Sequence, residues 1–216
     1  MNAITDHFGL FVSGFLKSLG IILWATAGSL LLGTVIATFR ISPVPPLRAL
    51  GAAYVNVVRN CPLSVVLFFI AFGFPEIGVN ASFYLFAIGG LVLYTAAFVC
   101  EALRSGVNAV PAGQIEAARA LGLTFLQSLR TIVLPQAFRS AIAPLGNVII
   151  AMFKNSAVVG AFGVAGELYS VANELTGSLG YEVTGPLLGV AVGYLLLTIP
   201  TGQLLLFSER KWGIAR

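Results

Sequence analysis

From Ser18 to Phe39 the chain carries no charged side chain, a run as long as the roughly 20 apolar residues a helix needs to cross a bilayer core. Four more stretches are built the same way, so membrane spans are expected at about 11–39, 50–73, 82–102, 140–162 and 183–207. Arg59 interrupts the second and Lys154 the fourth. Only 9% of the residues are charged and 58% are hydrophobic, whereas soluble domains carry about 25% charged residues. A water-facing surface cannot be assembled from this material. The expected fold is therefore all-α integral membrane, one transmembrane domain over residues 1–216 with five spans. Ala25 and Ala27 imitate a signal-peptide cleavage site, but the apolar run continues beyond them, as in an uncleaved helix.

Charge placement gives the expected direction of the chain. Arg40 and Arg48 fall in the first loop, Arg104, Arg119, Arg130 and Arg139 in the third, and Arg210, Lys211 and Arg216 in the C-terminal tail. The opposite side holds Lys17 together with Asp6, Glu76, Glu167, Glu174 and Glu182. Basic loops stay cytoplasmic, which puts the N-terminus outside and the C-terminus in the cytoplasm. The formal charge of +4 is scattered singly, without the basic cluster that nucleic-acid binding requires, and no nucleic-acid partner is expected. Cys61, Cys100 and His7 have no ligand-spaced neighbours, so no metal site is expected, and no paired carboxylates or nucleophile with a base indicate an enzyme.

Two stripes of small residues, Ala25-Ser29-Gly33-Ala37 and Gly185-Gly189-Gly193, recur at four-residue spacing. Helices in lipid pack through such residues because apolar burial gives little drive between them. No internal repeat is evident, which argues against an inverted-repeat secondary transporter.

The segment 104–135 is long for a connection and is expected to hold structure of its own. Pro111 suits a helix's first turn, 114–121 is a helix-forming run, and Gly122 stands where a C-cap would. Thr124 and Gln127 form a capping box opening a second short helix, with Phe125, Leu126, Leu129, Ile132 and Val133 at helical spacing. Pattern alone leaves two readings open, a docking surface for a partner and a helix resting on the membrane surface.

Within this segment Glu116-Ala117-Ala118, Gly122, Ile132 and Leu134-Pro135 resemble the EAA signature of ABC importer permeases at every fixed position. Tyr54 to Pro62 and Phe153 to Gly163 are similar to segments of the polar amino-acid uptake branch, departing at Asn60 and Cys61, where that branch has Gly and Thr or Ser. Phe39 to Asn60 and Tyr94 to Asn108 look most like glutamate permeases of actinobacteria. The resemblance implies a multi-pass subunit of the bacterial cytoplasmic (inner) membrane, coupled through 104–135 to cytoplasmic ABC ATPase subunits. It implies further partners: a second permease subunit, related but different, an extracytoplasmic substrate-binding protein, and an amino-acid substrate, glutamate or a related polar amino acid. Glutamine, a basic amino acid or methionine are alternative substrates within the family. The chain lacks a G-x-x-x-x-G-K-[ST] loop, so no cofactor is expected on it and ATP and Mg are used by the partner ATPase.

Two cations are expected at membrane depth. Arg59 lies about 13 Å into the second span at 1.5 Å per residue, and Lys154 well into the fourth, followed by Asn155 and Ser156. Charges in such places face a bundle interior or a water cavity, and Arg59, Asn60, Lys154, Asn155 and Ser156 are the candidate substrate pathway. No acid is expected at comparable depth, since Glu101 stands near the cytoplasmic end of the third span. A cavity with two cations favours a carboxylate-bearing substrate; the alternative is that both bond backbone carbonyls at helix breaks.

Overall fold

The computed structural model describes residues 2–160, 162–164 and 166–212. Among them every regular element is helical: α1 (Asn2–Asp6), α2 (Phe8–Ile41), α3 (Pro45–Asn60), α4 (Leu63–Phe68), a π-turn segment (Phe69–Gly73), α5 (Phe74–Glu76), α6 (Phe83–Asn108), α7 (Ala112–Ala120), α8 (Phe125–Ser128), a second π-turn segment (Leu129–Val133), α9 (Leu134–Gly160), α10 (Leu168–Gly177) and α11 (Thr184–Trp212). Four helical runs are long and apolar enough to cross a membrane: Phe8–Ile41, Phe83–Asn108, Phe125–Gly160 and Thr184–Trp212. Arg216, counted in the basic C-terminal tail, lies outside the described residues.

The stretch 50–73 is not one straight helix. Pro45–Asn60 and Leu63–Glu76 meet at 104°. Cys61 and Pro62 are both extended there (φ −95°, ψ 134° and φ −61°, ψ 139°). Proline's Cδ excludes its predecessor from the α region, so Cys61 ends α3, and Pro62 caps α4. The bend places Arg59 on the last turn of α3, just before the break between the two halves of this pair.

The segment 104–135 also differs from the expectation in detail. α6 runs on to Asn108, Pro111 is the N-cap residue of α7 rather than a residue of its first turn, and the second helix is the opening of the long run Phe125–Gly160.

At the centre lies α6, packed against α2, α3, α4 and α9. The stripe on α2 explains the closest of these approaches. Ala25, Ser29, Gly33 and Ala37 are all buried, and a Cβ on Gly33 would stand 2.6 Å from Val99 and 2.8 Å from the Ala96 carbonyl oxygen. On the other side of α6, Gly106 abuts the backbone of α9 at Ala137 and Ala141. The α11 stripe receives side chains instead: Phe11 over Gly189 and Leu168 over Gly193. The main core lies between these helices, with Ile21, Ile22, Leu67, Leu91, Met152 and Val159 buried. Leu23, Trp24, Leu31, Leu196 and Phe207 are turned outward, as lipid permits.

Because Gly106 meets backbone rather than flexible side chains, Gly106→Ala is expected to destabilise the detergent-solubilised protein by about 1–3 kcal/mol, the usual cost of overpacking. Gly89→Ala on the same helix, with nothing within 4 Å of its new Cβ, is expected to melt at or slightly above the parent's temperature, because alanine is the better helix former.

Candidate translocation and coupling sites

The end of α7 is built by local rules. The Gly122 N–H donates to the Arg119 carbonyl at 3.0 Å and the Leu123 N–H to the Ala118 carbonyl at 3.1 Å, the paired bonds of a Schellman motif. Gly122 has φ +77°, a conformation glycine adopts without steric cost. Thr124 then opens α8: its Oγ1 accepts from the Gln127 N–H, and the Gln127 side chain accepts from the Thr124 N–H at 2.8 Å. Of the signature residues, Ala118 is buried and Ile132 half-buried, while Glu116, Ala117, Gly122, Leu134 and Pro135 are exposed. α7 is held to the following helical run by Gln136, which hydrogen-bonds Gln114. Val110, Val133 and Ala137 form a small core nearby. The tip beyond this core is apolar and bare. Leu121 is 82% exposed, Phe125 71% and Leu126 59%.

A second site is a groove between α6 and α9, about 340 Å³, lined by Tyr94, Thr95, Phe98, Asn147, Val148, Ala151, Met152 and Asn155. The Thr95 hydroxyl is buried and has no hydrogen-bond partner among the described residues. Of the pathway residues expected from sequence, Asn155 faces this groove. Arg59 stands at its edge, its guanidinium 5.5 Å from the Phe98 ring centroid. Asn60 is exposed and turns back to donate to the Asn56 carbonyl at 2.7 Å. Ser156 is buried and donates to the Phe153 carbonyl at 2.8 Å. Lys154 lines a different groove, of about 420 Å³, with Ala157, Ala191, Tyr194, Leu195 and Thr198. Lys154 and Asn155 point about 100° apart on α9 and line different grooves. The two cations expected in one cavity are therefore apart: Lys154 lines one groove, and Arg59 stands beside Phe98 of the other.

Arg59 is also not unpaired. Glu101 lies at its depth, 3.5 Å from Nη1, contrary to the expectation that no acid would. Glu101 further accepts from Arg40 at 3.0 Å and from Arg104 at 2.7 and 3.1 Å. Two positions invisible to pattern reading, Asn147 and Thr95, belong to the groove only because α6 and α9 cross there.

In the connection before α11, Glu167 is 1% exposed and caps α10. Its carboxylate accepts from the Ser170 N–H at 2.6 Å, the Tyr194 hydroxyl at 3.2 Å and the Ser18 hydroxyl at 3.3 Å. Burial pushes this carboxyl above its ordinary pKa, against the backbone N–H groups of Tyr169 and Ser170, which pull it down.

Residues 29–213 match the binding-protein-dependent transport system inner membrane component family. The chain belongs to that family. It is 38% identical over 211 residues to the probable glutamine ABC transporter permease protein GlnM of Bacillus subtilis, spanning 98% of this chain and 97% of that one. It is 40% identical over 202 residues to the glutamate transport system permease protein GluC of Corynebacterium glutamicum, spanning 87% of each. Among solved structures, an amino acid ABC transporter crystallised with histidines superposes with a TM-score of 0.91 at 32% identity over 96% of each chain. The MetNI methionine ABC transporter in an inward-facing conformation gives 0.70 at 25% identity over 95% of each. Permeases of this family are transport subunits and not enzymes; ATP hydrolysis lies in a separate subunit.

Glu167→Ala would leave the Ser18 and Tyr194 hydroxyls and the Ser170 N–H without an acceptor, a loss of about 1–3 kcal/mol of stability on thermal melting. Glu167→Gln preserves an acceptor at the cap and allows both hydroxyls to turn, and is expected to melt close to the parent.

Proposed function

We propose that this permease passes a polar amino acid, glutamate or glutamine, through the α6–α9 groove of a five-span subunit driven by a cytoplasmic ATPase. In this reading the N-terminus is outside, the C-terminus is in the cytoplasm, and the bent pair α3 and α4–α5 counts as the second span, all in the bacterial cytoplasmic membrane. The observation that carries the reading is the bare apolar tip at Leu121, Phe125 and Leu126, next to the exposed Glu116. Such a tip in water asks for a covering partner. An ATPase subunit using ATP and Mg, with α7 seated in its surface, is that partner. Gly122 keeps α7 at a fixed angle to Phe125–Gly160, so movement of α7 reaches the helix that forms one wall of the groove.

The groove supplies amide, hydroxyl and aromatic groups from Tyr94, Thr95, Asn147 and Asn155 and has the Arg59 cation at its edge. No carboxylate lines it among the described residues, which favours a substrate with a carboxylate over a cationic one. The relatives named for glutamate and glutamine agree with that chemistry. One subunit provides one wall, so a second permease, related but different, completes the pathway. A binding protein delivers substrate at the outer side, where Glu174 and Glu182 are exposed.

The test is reconstitution of the complex purified from native membranes. A P-loop ATPase and a second permease are expected to co-purify, and labelled glutamate or glutamine is expected to enter proteoliposomes only with ATP and the binding protein. Uptake driven by an ion gradient alone would overturn the reading. In the same assay Gly122→Arg, which places a bulky residue at φ +77° at a cost of about 1–2 kcal/mol, is expected to retain ATP hydrolysis and lose transport. Normal uptake by that variant at normal expression would remove α7 from the coupling path.

A further inference from the structure

We propose that Glu101 competes with the substrate's carboxylate for Arg59, so that release toward the cytoplasm is an exchange of ionic partners. This inference rests on the α6–α9 groove being the substrate passage.

The geometry around Glu101 is unequal. Arg104 holds it through two contacts, Nη2 to Oε2 at 2.7 Å and Nε to Oε1 at 3.1 Å, and Arg40 donates to Oε1 at 3.0 Å. Both carboxylate oxygens are therefore occupied before Arg59 arrives. Arg59 Nη1 stands 3.5 Å from Oε2, beyond the 2.7–3.2 Å of an N–H···O hydrogen bond. Its side chain is 45% exposed, against 16% for Arg40 and 35% for Arg104. Three guanidinium groups thus meet one carboxylate, and Arg59 is the one whose charge is least used.

Arg59 also adjoins a residue of the groove. Its guanidinium lies over Phe98, and Phe98 lines the groove one helical turn before Glu101 on α6. The same cation thus lies between a groove-lining ring and the acid that its Nη1 meets. An amino acid of any side chain brings an α-carboxylate, whose two oxygens match the fork of a guanidinium. A half-exposed ion pair at 3.5 Å is weak, and a carboxylate arriving along the groove displaces it. Glu101 then recaptures Arg59 and frees the substrate on the cytoplasmic side. Glu101 is in this sense a positioning residue for Arg59, and the surplus of arginines is what leaves Arg59 available to both.

The assembled complex, with its ATPase and second permease, is assayed without nucleotide for retention of labelled glutamate, glutamine and arginine, using whichever the wild-type complex transports. Glu101→Gln is expected to tighten retention at least about tenfold, the scale of one charge-assisted hydrogen bond, and to slow turnover. Arg59→Gln is expected to weaken retention, and adding Glu101→Gln to it should change nothing further. If Glu101→Gln does not assemble, Glu101→Asp keeps the charge for Arg40 and Arg104 while withdrawing from Arg59, with an expected tightening of about threefold. A purely anchoring Glu101 predicts poorer assembly without tighter binding. Unchanged or weakened retention in the assembled variants, or tightening that persists without Arg59, overturns the exchange. Failure of the wild-type complex to take up amino acid with ATP would instead overturn the transport reading itself.

Discussion

The bundle depends on how closely α6 is approached from both sides. In lipid the apolar surfaces of two helices gain little by leaving hydrocarbon for each other, so contact distance and van der Waals density decide the packing. Gly33 on α2 lets Val99 and the Ala96 carbonyl come within the space a side chain would fill, and Gly106 lets α9 come in against backbone. Everything functional is referred to this one helix. Tyr94, Thr95 and Phe98 form one wall of the groove, and Glu101, a turn further on, gathers the ends of α2 and α3. A helix fixed against α2 and, at Gly106, against α9 can keep a groove open where α6 and α9 part further along.

The second consequence concerns the bend between α3 and α4. Read as composition, 50–73 is one apolar run with a single arginine, and length alone makes it a span. Asn60-Cys61-Pro62 contained the correction. A proline removes a backbone donor and forces its predecessor out of the helical region, and at the helix end Asn60 turns its side-chain amide back onto the Asn56 carbonyl. Hydropathy averages over a window and does not register a break of two residues. The resulting 104° turn ends α3 at Arg59 beside Glu101 of α6, which also holds Arg40 of α2.

The segment 104–135 was legible for the opposite reason. Its determinants are local: a glycine at positive φ, a capping box, and helical spacing after it. Each acts within a few residues, and sequence order therefore carries them intact. The groove was legible only in part. Asn155 stands out as a polar residue in an apolar span, but Asn147 two turns earlier and Thr95 on another helix join it only through the crossing of α6 and α9. Lys154 looked like a companion of Arg59 because both are cations in apolar runs, and the helical rotation between Lys154 and Asn155 sends it to a different groove. Tertiary placement of single polar residues is what a one-chain reading lacks.

Charge accounting explains why the arrangement at Glu101 is not wasteful. Setting one half-buried carboxylate among three guanidinium groups satisfies the acid several times over while leaving cationic charge beside the proposed passage. An equal pairing would have been a closed structural bridge, with no reason for any member to respond to a passing anion. A bare cation without an acid nearby would have held a carboxylate too well, since attraction in a partly desolvated groove is strong. Transport requires binding that is also readily undone. In the proposed exchange, a third arginine held loosely by an acid already occupied by two others meets that requirement with groups of fixed charge.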